Sequence, residues 1–199
     1  MKTKVISAFI GGALGLSLAL CGELTRGDTR VYVESKPATA IEIEQTTATT
    51  EPTATTEPRT DNIKICNVPL NTEFQKWLIN YCYERSISPY LIMAICEQES
   101  DFNSLAVGDN GRSIGLMQIQ QCYHVERMAE LNVTDLTDAQ SNIVVGVDYL
   151  LELFNKNPSL EWVLMAYNGG EAYADRMTTK GTISEYATEV ISRCDELER

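Results

Sequence analysis

Hydrophobic side chains recur every three to four positions through most of the chain after residue 70, a spacing that places them on one face of an α-helix. The longest such run predicts a helix over Ala139–Lys156, which Asn157-Pro158 ends. Two shorter helices are predicted after a capping box at Thr72–Gln75 and after the Ser88-Pro89 pair. Ser159 is predicted to cap another helix.

Two more helices are predicted, one from near Tyr123 and a last one from Ser184. The segment Val107–Gly115 contains three glycines and predicts an irregular loop. Outside this loop, no alternation of apolar and polar residues predicts a sheet. The predicted class is therefore mainly α.

The start of the chain has the pattern of a targeting segment. Two early lysines precede an uncharged apolar run, Val5–Cys21, which is typical of an export signal or a short membrane anchor. A lipid attachment at Cys21 is a third interpretation, although Leu20 stands where a small residue is expected. We therefore predict a signal peptide or membrane anchor over residues 1–22, and each alternative places the rest of the chain outside the cytoplasm.

Residues 23–62 differ in composition from the rest of the chain. They are rich in Thr, Pro and Glu, and they contain "TATTEP" twice in succession. Such a segment has too little apolar surface to offset the entropy lost on ordering. The sequence predicts a disordered linker here, followed by a single folded domain over residues 63–199.

The stretch "AICEQESDFN", Ala94–Asn103, ends an apolar run with three carboxylates. On a helix, Glu99 lies within about 20° of Ile92, in the middle of the apolar stripe, whereas Glu97 and Asp101 point to the opposite side and are expected to be solvated. A carboxyl in an apolar setting has its charged form disfavoured, so its pKa rises and it can hold a proton near neutral pH. Glu99 is therefore either a general acid or a buried glutamate satisfied by hydrogen bonds or an ion pair.

Charge and histidine content narrow the possible ligands. The chain carries a formal net charge of −12, which disfavours nucleic acid and anionic lipid surfaces. It contains one histidine, His124, so a zinc site with His ligands has little support. We expect no metal and no cofactor.

Five cysteines lie in the predicted domain, and export would permit disulfides. Cys66 and Cys194, near the two ends of the domain, are the best candidates for one bridge. Cys82 and Cys96 fall on apolar helix faces and fit a role in the core. An odd number cannot all pair within one chain, so the full pattern, including Cys122, stays open.

Three motifs follow one another: "ESDFN" (Glu99–Asn103), "GLMQIQ" (Gly115–Gln120) and "AYNGG" (Ala166–Gly170), with Tyr186 near the start of the last helix. With this order and spacing, over roughly Thr72–Arg193, the chain resembles the lytic transglycosylase family, which is related to goose-type lysozymes. The resemblance implies a mainly α, lysozyme-like single domain that cleaves the glycan strands of bacterial peptidoglycan.

The resemblance assigns the catalytic carboxylate to Glu99, the residue that helical geometry also selects. In such enzymes the acid protonates the glycosidic oxygen between N-acetylmuramic acid and N-acetylglucosamine. The carboxylate then takes the proton of the muramic C6 hydroxyl, which closes onto C1 as a 1,6-anhydro ring. The residues that the resemblance implies in substrate binding are Ser100, Met117, Gln118, Ile119, Ala166, Tyr167, Asn168 and Tyr186.

Several of these residues have a second interpretation. Met117 and Ile119 could pack in the core, and Tyr186 could do the same. Asn168, which precedes two glycines, could belong to a helix C-terminal turn. Ser100 could be an ordinary polar residue at a helix end.

Two other functions stay open. If Asp109 in the glycine loop reached Glu99, the enzyme could be a two-carboxylate hydrolase, although the Asp109-Asn110 pair is also typical of a turn. The domain could also be a catalytically silent peptidoglycan-binding module. Gln121 stands where many relatives carry proline, a departure that concerns the course of the local loop.

The resemblance also implies a partner and a location. The expected partner is the peptidoglycan glycan strand, together with the cytoplasmic membrane if the N-terminal segment is not cleaved. The expected location is extracytoplasmic, at the cell wall, either secreted or anchored to the outer face of the membrane. Endo or exo action, biological role and oligomeric state stay open.

Overall fold

The computed structural model describes residues 64–199. The predicted signal or anchor (1–22) and linker (23–62) lie outside the described residues. The described part forms α1 Thr72–Glu84, α2 Pro89–Ser100, β1 Val107–Gly108, β2 Ser113–Ile114, β3 Ile119–Gln120, α3 Val125–Glu130, α4 Ala139–Lys156, α5 Leu160–Gly169, α6 Glu171–Thr179 and α7 Glu185–Glu198. The fold is mainly α, as predicted.

Most predicted helix starts are confirmed because the capping side chains do what their sequence positions require. Ser88 Oγ accepts a hydrogen bond from the Leu91 amide at 3.4 Å, and Pro89 occupies the first turn of α2. Ser159 and Ser184 cap α5 and α7 in the same way. The predicted bounds of α4 match the structure.

The predicted capping box at the start of α1 is wrong by one residue. The N-cap is Asn71, whose Oδ1 accepts from the Phe74 amide at 2.8 Å. Gln75 does not reach back to the helix end, because its amide turns inward and forms hydrogen bonds with Cys66 and Leu70. The side chain thus fastens the segment that precedes the helix.

The glycine loop contains more order than the sequence predicted. Its strands β1 and β2 pair antiparallel, and β2 pairs antiparallel with β3. Ser113 lies opposite Gly108 on one side and Gln120 on the other. Two-residue strands give no detectable alternation, so pairing in this small sheet leaves no pattern in the sequence.

Helix α6 was not predicted. It starts immediately after Gly170, whose φ of +82° turns the chain away from α5. Its one buried residue is Ala174, so it lacks the apolar stripe on which helix prediction depends. Trp162 of α5 holds it in place by donating from its indole nitrogen to Asp175 at 2.8 Å.

Helix α2 is the centre of the core. Every residue from Leu91 to Cys96 is buried, so this helix is apolar on all sides rather than along one stripe. Helix α7 packs along it, and α1 contacts it as well. The C-terminal end of α2, which carries Glu99, is therefore fixed by its neighbours.

The predicted bridge between Cys66 and Cys194 is wrong, because both residues are thiols in the structure. Cys66 Sγ lies 3.9 Å from the carbonyl oxygen of Leu197 instead, and burial raises the pKa of both thiols. Cys82 and Cys96 are core residues, as expected. Between residues 64 and 199, no helix combines the length and apolar character needed to span a membrane.

Candidate active site

Glu99 is the penultimate residue of α2, at the point where the helix stops abruptly. Asp101 and Phe102 both adopt positive φ values, 51° and 61°. Their amides donate to the carbonyl oxygens of Glu97 and Cys96, which closes the helix end. Glu99 therefore projects from a rigid terminus rather than from a mobile loop.

Burial and two neighbouring side chains set the pKa of the Glu99 carboxyl. The side chain is half-buried, and burial is the largest cause of the rise in its pKa from 4.5 to about 7. The Tyr186 hydroxyl donates to Glu99 Oε1 at 2.7 Å, which favours the charged form and lowers the pKa. The negative charge of Asp109 raises it further.

Glu97 is not the solvated residue that the helical projection predicted. Its Oε2 accepts from Arg193 Nε at 2.7 Å, so this carboxylate is paired with a cation of α7. Asp101 is exposed, as expected. The environments of the three acids therefore differ: Glu97 is paired with a cation, Asp101 is exposed, and Glu99 is partly buried beside the neutral Tyr186 hydroxyl.

Ser100 connects the end of α2 with the loop that follows β2. Its hydroxyl lies 3.0 Å from the Cys96 carbonyl oxygen and 2.8 Å from that of Leu116. This loop, Gly115–Gln118, is the turn between β2 and β3, and Gly115 and Gln118 have φ values of 79° and 47°. Ser100 thus fixes the loop beside Glu99.

The Gln118 side chain forms hydrogen bonds that hold the same loop in its conformation. Its side-chain nitrogen donates to the carbonyl oxygens of Ala106 at 3.2 Å and Gly115 at 3.0 Å. A Cβ atom at Gly108 would lie 2.4 Å from Gln118 Oε1, so the glycine of β1 makes room for this amide. The side chain is half-buried, which leaves part of it facing solvent.

Three of the residues that the resemblance implied in substrate binding are buried in the core. Met117, Ile119 and Ala166 are 0%, 2% and 0% exposed. A Cβ atom at Gly146 would lie 2.3 Å from Met117 Sδ, so Met117 packs directly against the backbone of α4. These three side chains therefore pack in the core and do not face solvent, where a substrate would bind.

The "AYNGG" motif forms the junction between α5 and α6. Tyr167 donates from its hydroxyl to the Met117 carbonyl oxygen at 2.7 Å, which links α5 to the Gly115–Gln118 loop. Asn168 is exposed at the end of α5. Tyr167 therefore acts on the loop backbone, while Asn168 faces solvent.

Asp109 lies in the short 3₁₀ turn Asp109–Gly111 between β1 and β2, and it is exposed. Its Oδ2 accepts from Ser113 Oγ at 2.7 Å and from Gln120 Nε2 at 3.1 Å. The turn that the Asp-Asn pair predicted is present. The small sheet thus holds this carboxylate in place, and its negative charge raises the pKa of Glu99.

Sequence reasoning missed two buried polar residues near the site. Asn142 of α4 is fully buried and bonds to the Gly115–Gln118 loop. It follows the polar pair Gln140-Ser141 and precedes the apolar run Ile143–Val147, so the sequence held no clear signal of its burial. His124 is buried as well, and its Nδ1 lies 2.6 Å from Arg127. In the part of the chain that the structure describes, no three His, Cys, Asp or Glu side chains are arranged to hold a metal ion.

The fold is similar to that of a solved structure, an inactive glutamate-to-glutamine mutant of the lytic transglycosylase Slt from Pseudomonas aeruginosa, with a TM-score of 0.53. The two sequences are 23% identical, and the alignment covers 63% of this chain and 24% of that chain. At this identity the similarity shows a shared fold alone, and this chain spans well under half the length of that protein. No curated protein sequence is significantly similar.

The clearest comparison is with a protein family. Residues 77–188, more than half of the chain, match the family model described as Transglycosylase SLT domain. The matched range contains Glu99, the Gly115–Gln118 loop, the "AYNGG" motif and Tyr186. The chain therefore belongs to the transglycosylase SLT domain family.

Proposed function

We propose that this protein is an exported lytic transglycosylase that cleaves the bond between N-acetylmuramic acid and N-acetylglucosamine in peptidoglycan without hydrolysis. The observation that carries the proposal is the state of Glu99, whose burial raises its pKa to about 7 in a domain of the transglycosylase SLT family. Such a carboxyl can hold a proton at neutral pH and can also give it up. It needs both properties in the proposed reaction.

The first step is acid catalysis. Glu99 donates its proton to the glycosidic oxygen, the bond between that oxygen and C1 of the muramic residue breaks, and the glucosamine leaves with a free hydroxyl. The Tyr186 hydroxyl, 2.7 Å from Oε1, stabilises the carboxylate that this step creates. The charge that develops on Glu99 therefore already has a donor in place.

The second step is base catalysis by the same group. The Glu99 carboxylate takes the proton of the muramic C6 hydroxyl while the C6 oxygen forms a bond to C1. The product is a 1,6-anhydro ring, and Glu99 is protonated again. One carboxyl suffices because the nucleophile belongs to the substrate, whereas glycoside hydrolysis generally uses two carboxyls at a defined separation.

The substrate is expected to lie against the exposed end of α2 and the Gly115–Gln118 loop. Gln118 belongs to this loop, the Tyr167 hydroxyl bonds to it, and both side chains are half-buried. Asn168, the exposed residue after Tyr167, completes our set of candidates for sugar contacts. Ser100 and Tyr167 also hold the loop backbone. Cleavage of peptidoglycan would require action outside the cytoplasm, which fits the export pattern at the start of the sequence.

Glu99→Gln tests the assignment directly, with Glu97→Gln as the matched control. The first variant should lose nearly all activity, because general acid–base groups contribute about 10²–10⁴-fold and one residue here does both jobs. The second loses a partly exposed ion pair with Arg193, which contributes about 1 kcal/mol or less, and should cleave like wild type. Turbidity loss of purified cell walls is the assay, and it also separates an enzyme from a silent binding module. An inactive Glu97→Gln with an active Glu99→Gln would reverse the assignment.

Stability provides a check that Glu99→Gln is folded. A carboxyl whose pKa rises on folding stabilises the protein only at low pH, and that contribution is lost as the pH rises from 4.5 through about 7. A neutral glutamine avoids this loss. We therefore expect the variant to melt at the same temperature as wild type, or higher, at pH 7 and above. A lower melting temperature would show that its inactivity has a structural cause.

A hydrolase using Asp109 is the second candidate, because this carboxylate is fixed by Ser113 and Gln120 and raises the pKa of Glu99.

The reaction products distinguish the lytic transglycosylase from the hydrolase. An intramolecular C6 hydroxyl can have an effective molarity of about 10⁵ M or more, so without a second carboxylate to hold water the anhydro product should dominate. Mass spectrometry should then detect 1,6-anhydro-muramic ends, and Asp109→Asn should change the rate little. Reducing muramic ends that disappear in Asp109→Asn would establish the hydrolase.

A further inference from the structure

Asn142 of α4 has a buried side-chain amide that bonds to the Gly115–Gln118 loop. Asn142 is 0% exposed, and both polar atoms of its side chain form hydrogen bonds. Its Oδ1 accepts from the Met117 amide at 2.8 Å. Its Nδ2 donates to the carbonyl oxygens of Ile114 at 2.8 Å and Leu136 at 2.9 Å. The amide therefore joins the end of β2, the turn itself and the segment that precedes α4.

The Asn142 side chain also explains why the "GLMQIQ" motif begins with a glycine, Gly115. A Cβ atom at Gly115 would lie 2.3 Å from Asn142 Nδ2 and 2.6 Å from the Leu136 carbonyl oxygen. Gly115 also has a φ of 79°, which a residue with a side chain rarely adopts. Only glycine allows the loop to approach the amide this closely.

Asn142 acts together with two side chains that come from other helices. Ser100, the residue after Glu99, contacts the Leu116 carbonyl oxygen, and Tyr167 donates to the Met117 carbonyl oxygen. The positive φ of Gln118 makes this backbone conformation unfavourable without such support. Three side chains from the helices thus form hydrogen bonds with this loop, and Asn142 is the one among them that is fully buried and also bonds to Ile114 just before the turn.

We propose that Asn142 is a positioning residue for catalysis: it holds the Gly115–Gln118 loop at a fixed place beside Glu99, and its loss slows turnover rather than only unfolding the domain. The inference rests on the proposed function, since it assigns to this loop the contact with the glycan. Displacement of a substrate-positioning element by about 1 Å can lower the rate by about 10²-fold.

The chain offers a matched control in Gln75. This side chain is also a buried amide, 2% exposed, and it also accepts one backbone N–H and donates to two carbonyl oxygens. Its Oε1 accepts from the Cys66 amide at 2.9 Å, and its Nε2 donates to Cys66 at 3.2 Å and Leu70 at 2.9 Å. These partners belong to the segment before α1, and none of them belongs to the site. The two amides therefore share chemistry and burial but differ in what they hold.

The test compares Asn142→Leu with Gln75→Leu on soluble glycan fragments, well below the melting temperature of each variant. Both should lose stability, because each leaves buried backbone groups without partners. Only Asn142→Leu should lower kcat, by about ten-fold or more, with a smaller change in KM. Gln75→Leu should keep kcat within about two-fold. An Asn142→Leu variant that is destabilised but keeps its kcat would overturn the inference.

A second pair of variants adds a readout that a purely structural role would not move, and it serves if Asn142→Leu does not fold. In Asn142→Asp, one oxygen of the charged carboxylate still accepts from Met117, but the other, which cannot donate, replaces Nδ2 and faces the carbonyls of Ile114 and Leu136. Protonation restores a donor. The kcat of this variant relative to wild type should therefore rise as the pH falls, while the ratio for Gln75→Glu should stay flat. A flat ratio for Asn142→Asp would contradict the inference.

Hydrogen–deuterium exchange separates this inference from the proposed function. Amides of residues 116–118 should exchange at least ten times faster in Asn142→Leu than in wild type, and at the wild-type rate in Gln75→Leu. Equal exchange in all of them would overturn the loop-holding role, whatever the activity. If wild type does not cleave glycan at all, the proposed function fails and the claim about turnover fails with it, while faster exchange would still support the loop-holding role.

Discussion

The Tyr186 hydroxyl offers the most direct way to shift the chemistry of Glu99 without removing it. Tyr186→Phe deletes one oxygen and leaves the ring, which is half-buried against the core. The lost hydroxyl donated to Glu99 Oε1 at 2.7 Å and favoured the carboxylate. Its removal leaves burial and the Asp109 charge unopposed, and both raise the pKa of Glu99. The pKa of Glu99 should therefore increase.

The size of the increase follows from the strength of the bond. A hydrogen bond to a charged group contributes about 1.5–3 kcal/mol, and 1.36 kcal/mol corresponds to one pKa unit. Because the Glu99 carboxyl is partly exposed and water can replace part of the bond, we take the lower end, about one unit. The first step requires protonated Glu99, so the alkaline limb of kcat/KM should lie near pH 7 in wild type and about one unit higher in the variant.

Initial rates on soluble glycan fragments between about pH 5 and pH 9 measure the limb. Each profile is normalised to its own acid plateau, so that any general loss of rate in the variant cancels. Well above neutral pH, the normalised rate of Tyr186→Phe should exceed that of wild type by nearly ten-fold. Tyr167→Phe is the matched control, because its hydroxyl donates to the Met117 carbonyl oxygen and not to Glu99. Its limb should stay at the wild-type pH.

Two results would refute this reasoning. A limb that moves to lower pH in Tyr186→Phe would mean that the hydroxyl favours the protonated acid. A limb that stays in place in Tyr186→Phe would mean that the ionisation of another group, not Glu99, controls the rate.

Two further predictions concern stability. Burial and the adjacent Arg127 lower the pKa of His124 from 6.5 to about 4, so the folded state resists protonating this ring, and stability should fall as the pH drops from 6.5 through about 4. Urea unfolding of wild type and His124→Gln at several pH values in this window tests it: the variant should lose less stability on acidification, and parallel losses would refute the assignment. Gly146→Ala should destabilise by about 1–3 kcal/mol, because the new Cβ would lie 2.3 Å from Met117 Sδ in a packed core. Thermal unfolding measures this change, and an unchanged melting temperature would show that Met117 can move aside without loss.

The helices were predictable because their signals are local. Serine caps before α2, α5 and α7 act on amides three residues later, within the reach of a sequence pattern. The cap of α1 was misplaced by one residue because Asn71 and Thr72 are both good candidates, and the choice depends on Gln75, which bonds to a segment outside the helix. A local pattern cannot contain that information. Helix α6 was missed for a similar reason, since tertiary contacts hold it without an apolar stripe.

The candidate catalyst was predictable, but its surroundings were not. Glu99 was selected by its place on an apolar helix, and its pKa of about 7 agrees with that interpretation. The same projection called Glu97 solvated, whereas α7 supplies Arg193 as its partner. Tyr186 reaches Glu99 across the same helix contact. The sequence separation between these partners is about ninety residues, and nothing in either segment alone specifies the pairing.

The motifs mark a place in the fold more reliably than they mark contacts with substrate. Ser100 and Tyr167 belong to different motifs, yet both bond to backbone carbonyls of the Gly115–Gln118 loop, and Asn142, outside any of the motifs, bonds to the same turn. Much of the polar capacity of the motif residues is therefore used within the protein. Under the proposed function, recognition of the glycan would then rest on Glu99 and on groups that still face solvent, among them Asn168. Variation in substrate preference within this fold should accordingly arise from such exposed positions, while changes at the loop anchors should alter the rate for all substrates alike.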